Sequence, residues 1–173
     1  MPKTWLFLSA VLLVWSLIGC SKGGDLPTAS LDTVKQITFI NTQDGAPFKI
    51  DPALFDTPAA KEFLASGKNP YLGNAEAIIR GKKVFQLYSC TQCHGPMAGG
   101  QVGPSLLGPN YHYAKNATDK GMFEIIWHGT NGGMGAKGIG LMDPSNPTEG
   151  ISPDDILKTM AWIRSLGSGY RGQ

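Results

Sequence analysis

Cysteine is scarce in this chain. Only three occur in 173 residues, Cys20, Cys90 and Cys93. A tetrahedral zinc site needs four ligands at ribbon or finger spacing. With Cys20 far from the other two, such a site would have to borrow from three scattered histidines. Long hydrophobic runs are also missing. The apolar stretch Trp5–Ile18 falls short of the roughly 20 residues that span a membrane comfortably. Neither sign of charge dominates, with 15 Lys and Arg against 13 Asp and Glu. That balance gives no footprint for nucleic acid or an acidic membrane surface. The few charged residues are scattered singly and are expected on solvated surface. No βαβ pattern, internal repeat or heptad is visible, which removes the usual setting of a thioredoxin-type dithiol and any coiled coil. The glycine loop around Gly135 is no phosphate cradle. Ala136, Lys137 and Gly138 follow it, where a P-loop needs Gly-Lys and then Ser or Thr.

Against these absences stands Cys90-Thr91-Gln92-Cys93-His94. Cys-x-x-Cys-His is the attachment signature of a c-type haem. Two thiols add across the porphyrin vinyl groups, and the histidine becomes the proximal iron ligand. On a helical turn, positions i and i+3 share a face and i+4 lies beside them. Both sulfurs then reach the ring edge while the imidazole points at the metal. Glycine is abundant, with 23 residues, and twelve of them fall between Gly95 and Gly140. Such a stretch reads as loop wrapped closely around something.

The N-terminus reads as an export signal, with Lys3 ahead of the apolar run. The run ends in Leu17-Ile18-Gly19-Cys20, which resembles a bacterial lipoprotein box. That likeness implies cleavage before Cys20 and lipid on the new N-terminus. Ser21 then implies the outer membrane, and ordinary secretion with nearby cleavage is the alternative. Lipid on Cys20 and haem on Cys90 and Cys93 would leave no cysteine for a disulfide. The expected layout is a signal peptide over 1–19, a small polar tether over 20–33, an N-terminal extension over 34–73, and a haem domain over 74–173.

Local signals place the elements. Val34–Ile40, a turn at Asp44-Gly45, and Phe48–Ile50 suggest a small hairpin. A helix over Thr57–Ser66 is capped by Asp56 or Thr57, carries Pro58 in its first turn and ends at Gly67. A second helix starts after Asn74 and runs towards Cys90. A third covers Asp119–His128 and closes at Gly129. The last begins with Ser152 as cap and Pro153, with Asp154 and Asp155 at its positive end. Ile156, Met160 and Ile163 share its apolar face.

A six-coordinate haem iron needs a second ligand, and a methionine thioether raises the potential and closes the metal to substrates. Met97 follows His94 too closely to cross the ring. Met122 and Met160 sit at core spacing. Met134, in Asn131-Gly132-Gly133-Met134-Gly135-Ala136, is the expected distal ligand, with Met142, His128 and His112 as alternatives. His112 and His128 otherwise read as surface or packing histidines. Tyr111, Tyr113 and Trp127 are expected to contact the haem or line the core.

The order helix, Cys-x-x-Cys-His, glycine-rich loops, helix, loop, helix resembles a class I cytochrome c, an all-α fold, here with an N-terminal extension. In that fold the first and last helices cross closely, and Gly81, Phe85 and Trp162 resemble the residues at the crossing. Gly103-Pro104-Ser105-Leu106 resembles the segment whose proline carbonyl accepts the ring N–H of the ligand histidine, which implies that Pro104 supports His94. Asp56-Thr57-Pro58-Ala59 with Lys61-Glu62-Phe63-Leu64, Asn116-Ala117-Thr118-Asp119, Asn131-Gly132-Gly133-Met134-Gly135 and Ala161-Trp162-Ile163-Arg164 resemble cytochrome cL. Cytochromes cL accept electrons from pyrroloquinoline-quinone (PQQ) methanol dehydrogenases. The likeness covers about residues 38 to 167. It implies a periplasmic monohaem carrier with one covalent haem c iron. Its donor would be a PQQ-dependent alcohol dehydrogenase, its acceptor a downstream cytochrome c or oxidase, and it would do no bond chemistry itself. The competing readings are a haem enzyme or gas sensor with a labile distal ligand, and a fixed haem subunit of a larger complex. The near-neutral charge departs from the acidic habit of cytochromes cL.

Overall fold

The structure, a computed structural model, describes residues 36–167. The chain divides after Thr33 into Met1–Thr33, which lies outside the described residues, and the compact unit Val34–Gln173. The expected signal peptide, tether and Cys20 all fall in that first part. Five helices and one two-stranded sheet follow in order. They are β1 (Phe39–Ile40), β2 (Pro47–Phe48), α1 (Pro58–Ser66), α2 (Ala75–Leu87), α3 (Thr91–His94), α4 (Asp119–His128) and α5 (Pro153–Leu166). Among the described residues no helix is long and apolar enough to cross a membrane.

The helix ends follow local chemistry. Thr57, Asn74, Thr118 and Ser152 each accept a backbone N–H of the first turn through a side-chain oxygen, satisfying donors that would otherwise lack partners. Thr57 rather than Asp56 caps α1. The hairpin is shorter than the apolar run suggested. Phe39 pairs with Phe48 and Ile40 with Pro47, and Pro47 can donate no ladder hydrogen bond.

Helices α2 and α5 cross at close range. A Cβ on Gly81 would lie 1.9 Å from the Lys158 carbonyl oxygen and 2.8 Å from the Thr159 nitrogen. Only a residue without a Cβ lets the two backbones meet there. One turn further on, Phe85 packs on Trp162 with ring centroids 4.7 Å apart. The expected crossing residues therefore do meet.

The hairpin and α1 build onto α4 through an aromatic cluster. Phe39 stacks within 6.3 Å of Phe48, Phe55, Phe63 and Phe123. Phe123 in turn stacks on Trp127. Phe55, Phe63 and Phe123 are fully enclosed, so each ring contributes about 1.5–3 kcal/mol of burial.

The expectation that charged residues are solvated surface is corrected here. Asp119, Glu124, Asp154 and Arg164 are buried. Each is tolerated because partners neutralise it. Glu124 accepts the Ile40 N–H at 2.7 Å and pairs with Lys115 at 2.7 Å and with Lys120. Lys115 also donates to the Ile40 carbonyl and Thr42. Arg164 donates to Tyr111 Oη at 2.7 Å and to the Asn116 carbonyl at 2.6 Å, and pairs with Asp119 at 3.7 Å. Asp154 pairs with Lys158 and accepts Thr57 and Tyr71. Apart from the Lys120–Glu124 and Asp154–Lys158 pairs, each one helical turn apart, these links join separate segments, so isolated charges in the chain gave no sign of them.

Candidate haem-binding site

Helix α2 stops at Leu87, and the backbone then turns sharply. Ser89 adopts φ +57°, and Cys90 N–H bonds back to the Phe85 carbonyl at 3.1 Å. This reversal starts α3 at once. The His94 N–H reaches the Cys90 carbonyl at 2.9 Å and the Cys93 N–H does so at 3.3 Å. One helical turn thus carries all three signature side chains. Both thiols are free of disulfide; Cys90 is half-buried and Cys93 exposed. Burial pushes the Cys90 thiol above its ordinary pKa, partly offset by the nearby Lys137 ammonium.

His94 is buried, and its Nδ1 lies 2.9 Å from the Pro104 carbonyl oxygen. Proline offers no backbone N–H here, only the carbonyl, so Nδ1–H donates and Nε2 keeps its lone pair free. Gly103 makes this contact possible. A Cβ there would stand 3.1 Å from His94 Cε1 and 3.3 Å from Nδ1, pressing on the ring. The Gly103 N–H donates to the Cys93 carbonyl at 2.8 Å, which pins the loop beneath the histidine.

A cleft of about 420 Å³ opens beside these residues, and Cys90, Cys93, His94, Pro104, Ile125 and Met134 line it. Its inner end is a narrow apolar pocket walled by Phe85, Leu106, Ile126, Ile151 and Ile163 and shared with Met134. Met134 is carried by the loop after α4. The Thr130 N–H donates to the Met134 carbonyl at 2.8 Å, and the Lys137 N–H returns to α4 at the Ile126 carbonyl. The loop is therefore closed at both ends.

The other candidates lie elsewhere or at the margin. Met142 faces a separate open cleft with Leu87, Tyr88 and Glu149. His128 packs its ring on Phe48. His112 is exposed at the cleft's rim, edge-on to Tyr113. Met97 is exposed and Met160 is buried in the core, while Met122, also buried, lines the inner pocket with His94 and Met134. Of the three aromatics expected near the haem or in the core, Tyr113 lines the cleft, Tyr111 packs on Arg164 and Trp127 is buried.

The cleft has two further lining residues whose place there was not legible in the sequence, although Asn116 stands in a segment that resembles cytochrome cL. Lys137 lines the cleft between the Met134 loop and Ile151. Asn116 lines both its open and inner parts, and its buried Oδ1 has no hydrogen-bond partner among the described residues. An orphaned buried polar atom in an otherwise apolar wall fits a cleft shaped for a further group. Two thiols on one helical turn, an imidazole with Nε2 free, and a thioether on the same apolar cavity are the donor set of a c-type haem. The residues present fit that group.

Comparison with known proteins agrees. The Cytochrome c family signature matches residues 78–167. Cytochrome c-L of Methylorubrum extorquens is 41% identical over 114 residues, which is 66% of this chain and 52% of that protein. The chain thus spans about half the length of that relative. The crystal structure of cytochrome cL from Hyphomicrobium denitrificans superposes with TM-score 0.63 at 38% identity, over 75% of this chain and 73% of that one. That of cytochrome cL from the marine methylotroph Methylophaga aminisulfidivorans gives TM-score 0.62 at 35% identity, over 76% and 82%. Fold, donor set and signature together show that the chain belongs to the cytochrome c family, whose cofactor is a covalently bound haem c.

Proposed function

We propose that this chain is an exported one-electron carrier. It accepts electrons from a PQQ-dependent methanol or alcohol dehydrogenase and passes them to a downstream cytochrome c or oxidase. Haem c, when bound, supplies a one-electron iron couple. The protein's own residues do the rest. Cys90 and Cys93 would anchor the ring by thioethers. His94 presents Nε2 because Pro104 holds Nδ1–H. Met134 would be the second protein ligand and would keep small substrates from the metal. The observation that carries this reading is the His94–Pro104 hydrogen bond at 2.9 Å facing a cavity that Met134 also lines. It supports a site whose histidine is fixed in orientation and whose methionine would supply a second ligand, as an electron carrier needs.

The similarity to cytochromes cL supports the choice of donor. An exposed margin supports contact with partners, since Cys93, Gly132 and Gly133 at the cleft are open and Val102 is 85% exposed. The sequence of the first residues supports export to the periplasm, with Cys20 lipidated and tethered to the outer membrane. Stopped-flow mixing of the oxidised holoprotein with purified quinoprotein dehydrogenases tests the donor. Rapid reduction by a methanol or alcohol dehydrogenase is expected, and no reduction by any of them would reject the donor while leaving the haem untouched.

A further inference from the structure

A helix leaves the carbonyls of its last turn without partners inside the helix. In α4 these belong to Ile125, Ile126, Trp127 and His128. The Met134 loop takes three of them. The Gly129 N–H donates to the Ile125 carbonyl at 2.9 Å as the chain leaves the helix. On the return, the Lys137 N–H donates to the Ile126 carbonyl at 3.0 Å and the Gly138 N–H to that of Trp127 at 3.1 Å. The fourth carbonyl, that of His128, accepts Gln43 Nε2 at 3.2 Å. Gln43 stands in the turn between β1 and β2, 85 positions earlier. The N-terminal hairpin and the Met134 loop thus close the same helix end.

The hairpin reaches that end from a fixed base. Glu124 accepts the Ile40 N–H, and Lys115 donates to the Ile40 carbonyl and to Thr42 Oγ1. Asn41 is buried, and its Oδ1 accepts the Gln43 N–H at 2.9 Å, so the turn that carries Gln43 is held as well. Strand β2 adds a second grip, since Phe48 packs on the His128 ring with centroids 5.1 Å apart. Beyond His128 the backbone has no slack. A Cβ on Gly129 would stand 2.5 Å from the Met134 carbonyl oxygen and 2.7 Å from the Ala136 nitrogen. The Thr130 N–H donates to that same Met134 carbonyl at 2.8 Å. A shift of His128 therefore passes to Met134 through Gly129 and Thr130.

We propose that Gln43 and Phe48 are positioning residues for the Met134 loop, acting through His128, so that the N-terminal hairpin sets how tightly the thioether is held against the metal. This rests on Met134 being the distal ligand. Both ends of the loop are bonded to carbonyls of the last turn of α4, so the loop opens as that turn gives way. Each contact that the hairpin makes with the turn favours the closed loop. A competing ligand binds the iron in the open form, and its apparent affinity scales with the open fraction. Neither Gln43 nor Phe48 lines the cleft or its inner pocket, so their route to the metal runs through the helix end.

The test uses full holoprotein matured in a host that makes c-type cytochromes. Gln43→Ala and Phe48→Ala are compared with the unaltered protein and with Thr57→Ala. The last removes the α1 cap and its bond to Asp154 and leaves the hairpin's contacts with α4 in place. The readouts are the methionine–iron charge-transfer band of the ferric form, cyanide affinity and melting midpoint. In both hairpin variants the band is expected to fade on warming well before the fold melts. Cyanide is expected to bind up to about tenfold more tightly, the scale of one net hydrogen bond. Thr57→Ala is expected to lower the melting midpoint and leave band and affinity as they were. Hairpin variants that melt earlier with band and affinity unchanged would overturn the proposal. A gain in cyanide affinity in Thr57→Ala as large as theirs would also overturn it, since general stability would then be the cause. Gln43 is exposed, so Gln43→Ala decides alone should Phe48→Ala not fold. Absence of the band from the unaltered protein would instead reject Met134 as ligand, and this proposal with it.

Discussion

Thr57 Oγ1 donates to Asp154 Oδ1 at 2.7 Å across 97 positions of sequence. The same hydroxyl accepts the Ala60 N–H and caps α1. One side chain therefore ties the start of α1 to the first turn of α5.

A pH dependence follows. Burial works to raise the Asp154 pKa, but Lys158, Thr57 and Tyr71 outweigh it and hold the carboxyl below its ordinary value. A depressed pKa in the folded state adds stability above the unfolded carboxyl pKa, about 3.9. That stability is lost as pH falls through the folded value. Urea unfolding of the holoprotein from neutral to acid pH is expected to show this loss, and Asp154→Asn to flatten it. An unchanged acid limb in the variant would assign the loss to other groups.

Gly81→Ala sets two effects against each other. Alanine favours the helix by about 1 kcal/mol. The new methyl would meet the Lys158 carbonyl, and such overpacking costs about 1–3 kcal/mol, more when the obstacle is backbone. Net destabilisation is expected, read as a lower denaturant midpoint. A more stable variant would mean that α2 and α5 separate freely.

Met134→Ala and Met142→Ala are expected to diverge. The first removes the methionine–iron charge-transfer band and lets carbon monoxide bind the reduced iron rapidly. The second leaves both properties as they were, because Met142 faces a different cleft. The reverse pattern would exchange their roles.

Glu124→Gln tests the hold on the N-terminal extension. The carboxylate is 1% exposed and serves Ile40, Lys115 and Lys120. Both lysines are partly solvated, which moderates the penalty to about 2 kcal/mol. Amide hydrogen exchange of Phe39 and Ile40 is expected to quicken before that of α2 and α5. Uniform acceleration would show that the hairpin opens only with the whole domain.

What the sequence revealed and what it hid divide by distance along the chain. Helix bounds at Asn74, Thr118 and Ser152 are local matters of a cap and a following apolar pattern, so they were legible. The Cys90–His94 signature fits in one helical turn and was equally plain. Gly81 was legible through resemblance, since its reason lies at Lys158. Arg164 and Asn116 likewise stood in segments of resemblance, but their partners, like those of Glu124, were not legible. Ile40 reaches Glu124 over 84 residues, and Arg164 reaches the Asn116 carbonyl over 48. No pattern in a single chain announces such pairings. The roles of Glu124 and Arg164 emerge once the turn Ala114–Ala117 and the hairpin are placed against α4 and α5.

The aromatic cluster has a consequence for how fast charge can move. Phe123 of α4 is gripped by rings from the hairpin and α1 and stacks on Trp127 of its own helix, while Ile125 walls the cleft. The helix that leads into the Met134 loop is thus braced from behind. Were a bound haem iron to gain or lose a charge, this bracing would leave the wall around it little freedom to rearrange. A small rearrangement lowers the barrier to each hop and lets modest driving force suffice.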